Sequence, residues 1–226
     1  MMVSSNCPVM KRYVALTLML FAVLCASAQI THTAKGDIDE NAAKVLKKAS
    51  AVFEKSNVSF TVTMVNRDSQ KKETARQKAD VLYSKGRYRV TAGNQTLYSD
   101  GKSVWQWDKQ TNEVTVNTLA QGGDDLMNPA ALLATYGKNF KTKFIRQEDD
   151  GTAVIDLTPF KQKSYYKIRM LINSKNGYIK QMELHNYDSS EGIYQISAFK
   201  AGTKCTDNDF RFDAEANKGV EVIDMR

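Results

Sequence analysis

The chain has 226 residues, 42% of them apolar, 25% charged and 9% aromatic, with three Pro, twelve Gly, three Cys and two His. That composition fits one ordinary globular domain and excludes a collagen-like, disordered or disulfide-dense chain. Part of the formal charge of +7 belongs to an N-terminal segment with the marks of an export signal.

Lys11 and Arg12 precede the apolar run Tyr13 to Cys25, broken only by Thr17, and Ala26-Ser27-Ala28 follows before Gln29. A basic region, a short apolar run and an A-x-A site form a cleavable signal peptide, with cleavage expected after Ala28. The run is shorter than the roughly 20 residues a bilayer span needs, so a permanent anchor is the weaker reading. Lipid attachment at Cys25 is the minority reading, because Leu24 is bulkier than the small residue a lipidation site wants. Met10, directly before Lys11, is an alternative start. Residues 29–36 read as a flexible tail and residues 37–226 as a single domain.

Cleavage would remove two of the 32 basic side chains and none of the 25 acidic ones, so the net charge falls from +7 to +5 on 198 residues. The one cysteine left, Cys205, cannot bridge internally. A hydrophobic core must therefore hold the fold, and about 200 residues are enough to build one.

From Asp37 to Phe53 the apolar residues are Ile38, Ala42, Ala43, Val45, Leu46, Ala49, Val52 and Phe53, and from Ala42 they recur at helical spacing. Asp37 with Glu40 three places on is a candidate capping box. After Asn57 apolar and polar residues alternate. Val58, Phe60, Val62 and Met64 share one face of the first strand, with Ser59, Thr61 and Thr63 on the other. Similar runs predict strands at Ala79 to Tyr83, Arg87 to Val90, Gln95 to Ser99, Ser103 to Asp108 and Glu113 to Leu119. Beyond them lie Lys143 to Gln147, Ala153 to Thr158, Tyr165 to Asn173, Tyr178 to Asn186, Ile193 to Phe199 and Asp209 to Asp213. Asp100-Gly101, Asp150-Gly151 and Asn176-Gly177 tolerate positive φ and close hairpins, which implies antiparallel neighbours. Pro129 to Ala134 interrupts the strands as a short helix, after an exposed loop at Gln121 to Asp125.

His32 and His185 are the only imidazoles, and His32 falls in the expected tail. With one Cys and one His in the domain, neither a zinc site nor a Cys-His nucleophile is supported. Nucleotide-binding, metalloprotease, serine-hydrolase and EF-hand motifs are all missing from the sequence. The expectation is a protein without catalytic residues, metal or cofactor. Basic clusters such as Lys71, Lys72, Arg76 and Lys78, or Lys161, Lys163, Lys167 and Arg169, fit outward strand positions that stay soluble and discourage edge pairing. Attraction to anionic headgroups or an acidic partner is the alternative. Nucleic acid is a poor fit, since acidic residues are interleaved throughout.

The segment Tyr98-Ser99-Asp100-Gly101-Lys102-Ser103-Val104-Trp105-Gln106-Trp107-Asp108 resembles the S-D-G-K-x-[LV]-W-x-Y-[DN] signature of the outer-membrane lipoprotein carrier (LolA) family. The opening helix, the strand from Val58, the Ala79 to Val90 hairpin, the Pro129 to Ala134 helix, Leu157-Thr158-Pro159, the Asn176-Gly177 turn and the terminal Gly219 to Asp224 follow in that family's order. The resemblance implies a mainly β, α+β fold: an incomplete antiparallel barrel with helices covering its open side. It also implies a monomeric periplasmic carrier of acylated lipoproteins, loaded by an inner-membrane ABC-type releasing complex and unloaded at an outer-membrane receptor or membrane surface.

The residues expected to line a lipid cavity are Phe60, Val62 and Met64; Trp105 and Trp107; Ile168, Met170 and Ile172; Leu82, Tyr88 and Val90; and Leu132 and Leu133 from the short helix. Ordinary core packing is the competing reading for each. Where the family carries an Arg-Pro pair before its third strand, this chain has Lys85-Gly86. Lysine keeps the charge but loses the planar fork, and Lys85 is the candidate latch for a lid over residues 121–136. A regulatory module that senses stray lipid or lipoprotein, or a carrier of other lipids, are the alternative functions.

Overall fold

The computed structural model describes residues 37–119 and 129–226. The expected signal peptide, the tail with His32 and the Gln121 to Asp125 loop lie outside the described residues. Helix α1 spans Glu40–Lys55 and buries Ala42, Val45, Leu46, Ala49 and Phe53, one apolar stripe. Its cap differs from the expected one. Asp39, not Asp37, stands at the N-cap and accepts hydrogen bonds from the Asn41 and Ala42 N–H groups at 2.8 and 3.2 Å. Asp37 is held elsewhere, its carbonyl accepting the Thr142 N–H at 2.8 Å.

The strands are β1 (Val58–Arg67), β2 (Glu73–Ser84), β3 (Arg87–Ala92), β4 (Gln95–Ser99), β5 (Ser103–Asp108) and β6 (Glu113–Thr118), then helix α2 (Pro129–Asn139). After it come β7 (Phe140–Gln147), β8 (Thr152–Pro159), β9 (Tyr165–Asn173), β10 (Ile179–Asn186), β11 (Glu191–Ala201) and β12 (Glu221–Asp224). Among the described residues they form one 12-stranded sheet, ordered β12-β6-β5-β4-β3-β2-β1-β11-β10-β9-β8-β7. It is curled but open, since β12 and β7 are its ends. Gly101, Gly151 and Gly177 all have positive φ at the three turns expected from their dipeptides.

Two expectations about the C-terminal part need correcting. Residues Asp209 to Asp213 are not a strand: Asp207–Phe210 is a 3-10 helix. Phe210 and Phe212 both turn inward, which imitates strand alternation, but the backbone is satisfied locally. The Thr206 N–H donates to the Asp209 carboxylate at 2.8 Å, and the Asp209 N–H to the Thr206 carbonyl at 3.2 Å. The second correction is that β12 pairs parallel to β6, so the sheet is not wholly antiparallel. A long return along the sheet from residue 203 makes a parallel approach possible.

That return covers the outer face of β3 to β6. Arg89 pairs with Asp209 at 3.2 Å and Arg211 with Asp100 at 2.8 Å. Arg87 pairs with Asp207 and sets its guanidinium 4.7 Å from the Phe210 ring centroid. The Phe212 ring meets Trp107 edge to face at 5.3 Å.

Candidate ligand-binding face

Residues directly opposite on neighbouring strands point to the same side of a sheet, so the register assigns every strand residue a face. One transverse row runs Met64, Tyr194, Met182, Met170, Ile155. A second runs Leu97, Val90, Val81, Phe60. Phe60, Val62, Met64, Tyr88, Val90, Ile168, Met170 and Ile172 therefore share the inner face, and Leu132 and Leu133 of α2 pack on the same core.

Three of the expected lining residues do not join them. Trp105 pairs with Tyr98, Tyr98 with Arg89, Arg89 with Leu82 and Leu82 with Ser59, whose side chain points away from Phe60. Leu82, Trp105 and Trp107 thus lie on the outer face. Alternation within one strand says which residues go together, but only pairing to β1 says which way they point. The cover over Trp107 is the C-terminal return. Its indole N–H is buried without a hydrogen-bond partner among the described residues.

The inner face has a sealed part and an accessible part. Ile168, Met170 and Ile172 are fully buried, whereas Met64, Val90, Leu97, Leu184, Tyr194 and Ile196 are only half-buried against them. The path of α1 explains the difference. Its start is tied to β7, where the Asp39 N–H donates to Thr142 Oγ1 at 3.1 Å and the Phe144 N–H donates to Asp39 Oδ2 at 3.2 Å. Its middle meets the β9–β10 turn, with Lys48 Nζ donating to the Ser174 carbonyl at 2.9 Å. Its end meets β2, with Phe53 and Tyr83 edge to face at 5.6 Å. The far ends of β1, β10 and β11 lie away from that path.

Burial pushes the Asp39 carboxyl up, but the N–H bonds from Ala42, Phe144 and Asn41 together outweigh it and hold the group below its ordinary value. Burial raises the Tyr194 hydroxyl.

Sequence reading missed an aromatic cluster at the α1 end. Phe199 stacks on Phe60 at 5.8 Å, 12° from parallel, and meets Phe53 at 6.1 Å and Tyr178 at 4.4 Å. Strict alternation from Tyr194 and Ile196 would turn Ala198 inward. A bulge opposite Ser59 to Thr61, with Ala198 at φ 52, brings Phe199 in instead. Leu184, Tyr194 and Ile196 were legible in the alternation of their own strands.

Lys85 sits with Gly86 in the two-residue β2–β3 turn, at φ 49 and 84. Both angles are positive, the signature of a type I′ turn. The Gly86 N–H donates to the Tyr83 hydroxyl at 2.8 Å, which pins the turn. The Lys85 side chain is exposed and has no hydrogen bond or ion pair with a described residue.

An open, curled sheet with an apolar inner face under two helices defines the half-barrel class of fold. The model of the family "Outer membrane lipoprotein carrier protein LolA" matches residues 84–213, and the chain belongs to that family. It is 27% identical over 207 residues to the outer-membrane lipoprotein carrier protein of Methylibium petroleiphilum, spanning 89% of this chain and 95% of the relative. Identity to the protein of the same name from Nitrosomonas europaea is 30% over 132 residues, 57% of this chain and 62% of the relative. Among solved structures, an uncharacterized conserved protein from Thermus thermophilus shares the fold with a TM-score of 0.55 at 12% identity, covering 82% of this chain and 99% of that one.

Proposed function

We propose that the protein carries acylated lipoproteins across the periplasm, with the acyl chains against the inner face of the sheet, from an inner-membrane ABC-type releasing complex to an outer-membrane acceptor. The observation that carries this reading is the set of half-buried apolar side chains on the inner face, Met64, Val90, Leu184, Tyr194 and Ile196, beside a fully buried floor within a chain of the lipoprotein carrier family. Each acyl methylene kept from water is worth about 0.8 kcal/mol, so a carrier must offer apolar surface that recovers most of what the membrane gave. Met64 suits this role because its flexible thioether adapts to different chains. Direction comes from unequal affinity of successive partners for open and closed states. Lys85, whose turn is rigid and whose ammonium has no described partner, is proposed to latch the segment 121–136 by bonding its carbonyls.

The test is binding of a fluorescent fatty-acyl probe by the protein and by Met64→Asp. Met64 is half-buried at the edge of the face, so the substitution leaves the fold intact by circular dichroism and weakens the probe at least about tenfold, the cost of a charge in an apolar site. Equal binding by both proteins overturns the assignment of the face. Ile168→Asp is unsuitable, because Ile168 is 0% exposed and a carboxylate there unfolds the domain.

A further inference from the structure

At the end of the inner face that α1 does not reach lies a cavity of about 350 Å³, lined by residues of the β1–β2 and β10–β11 hairpins. Its apolar lining is Leu184, Gly192 and Tyr194, and two of these, Leu184 and Tyr194, also belong to the face proposed to hold acyl chains. Its remaining lining is polar: Asn66, Arg67, Asp68, Thr74, Asn186, Ser190 and Glu191. The cavity therefore joins an apolar surface to a ring of donors and acceptors.

The two hairpins that form it are tied together. Lys71 Nζ donates to the Ser189 carbonyl at 2.9 Å and pairs with Glu191 at 2.8 Å. Glu191 is further engaged by His185 Nδ1 at 3.1 Å, and Asn186 donates to the Ser190 hydroxyl at 2.9 Å. Much of the frame is thus occupied in holding the rim in place. Other groups are not. The Arg67 guanidinium and the Asn66 amide form no hydrogen bond or ion pair with a described residue, and neither does the Tyr194 hydroxyl. Glu73, which stands opposite Arg67 in the β1–β2 register, is already taken by two nitrogens of Arg76 at 2.8 and 2.7 Å. Gly192 has no side chain where a Cβ would stand 3.4 Å from the Tyr194 ring, which keeps the floor low.

We infer that this cavity receives the polar junction of the cargo, the glyceryl esters and the amide-linked N-terminal cysteine from which the acyl chains of a lipoprotein diverge. The inference rests on the carrier reading above and adds a headgroup site to it. Three features select this chemistry. The cavity lies at the low end of small-ligand pockets, about 300–1,000 Å³, a size for a polar linkage rather than for several chains. Its position lets chains run from it directly onto Tyr194, Met64 and Leu184. Its charge is mixed: one arginine is flanked by Asp68, which has no cation partner among the described residues, and by Glu191, which Lys71 already pairs. A phosphate would therefore meet an unpaired carboxylate beside its only free cation, whereas uncharged ester and amide carbonyls would meet the guanidinium and amide donors without that repulsion.

The experiment is displacement of the fluorescent fatty-acyl probe from the protein by a synthetic triacylated cysteinyl lipopeptide and, in parallel, by a phosphoglyceride of the same chain length. The variant is Asn66→Ala with Arg67→Ala, both exposed side chains outside the apolar core. The expected result is a loss of about tenfold in lipopeptide affinity, the worth of one or two hydrogen bonds, with probe affinity and phosphoglyceride affinity unchanged. A variant that binds the lipopeptide as well as the original does overturns the headgroup site while leaving the carrier reading intact. Loss of phosphoglyceride affinity in step with the lipopeptide also overturns it, assigning the cavity to phospholipid. If the unaltered protein binds no acyl probe at all, the carrier reading itself fails and takes this one with it.

Discussion

Gly177 and Lys48 meet backbone to backbone: a Cβ on Gly177 would stand 2.8 Å from the carbonyl carbon and oxygen of Lys48. This contact sets the height of α1 above the β9–β10 turn, and hence the gap between helix and sheet. Gly177 also has φ +76, a conformation that side chains resist. Gly177→Ala is expected to cost about 2–4 kcal/mol from strain and overpacking together, read as a lower denaturant midpoint with the same slope. A midpoint equal to that of the original protein would refute the close contact.

Arg169 grips Asp156 with two nitrogens on the outer face, at 2.7 and 2.9 Å. Burial pushes the Asp156 carboxyl up, but the Arg169 hydrogen bond, helped by the charges of Lys167, Arg169 and His185, holds it below its ordinary value of 3.8. A carboxyl lowered in the folded state contributes stability above its unfolded value, and that contribution is lost as the pH falls through the lower, folded one. Asp156→Asn should therefore destabilise by about 1–3 kcal/mol at pH 7. Denaturation at a series of acid pH values below 3.8 should show the gap between the two proteins closing. A gap that stays constant into strong acid would rule out the pairing as its cause.

The C-terminal return is expected to peel first. Arg87→Ala removes both the ion pair with Asp207 and the cation over Phe210. The chain has two tryptophans, and both lie on the face under or beside this segment. Their emission should therefore shift to the red, with faster hydrogen exchange in residues 203–226 and little change elsewhere. Phe210→Ala, at a side chain that is fully buried, should cost about 3–5 kcal/mol. Unchanged emission in Arg87→Ala would show that Arg87 is not needed to hold the return, leaving the task to Arg89, Arg211, the Phe212 contact and β12.

Lys85→Ala separates a latch from a solvated turn. If Lys85 holds the segment 121–136, exchange across that segment should quicken at least about threefold while the unfolding midpoint moves by no more than about 0.5 kcal/mol, the usual size of an exposed substitution. Identical exchange in the two proteins would dismiss the latch. The measurement addresses residues 121–128, which lie outside the described part of the structure, as well as the α2 residues that follow them.

Much of the architecture was legible because each signal is local. Hairpins follow from Asp-Gly and Asn-Gly dipeptides, and the inner row of β1 follows from Phe60, Val62 and Met64 repeating at period two. The first half of β2 was not legible: Glu73 to Lys78 is polar apart from Ala75 and exposed on both faces, and it is a strand because its backbone pairs with Thr63 to Arg67. Phe210 and Phe212 misled for the opposite reason, since period two also suits two rings tucked under a loop.

What the sequence determined alone was the alternation itself, the turns and the helical stripe from Ala42 to Phe53, because each depends on neighbours a few residues away. Which side of the sheet each row occupies was decided only in three dimensions. The register from Ser59 through Leu82, Arg89 and Tyr98 to Trp105 turned the two tryptophans away from the inner face, and a single bulge turned Phe199 toward it. A strand's pattern repeats every two residues, so it is the same seen from either face, and only the neighbouring strand breaks the tie.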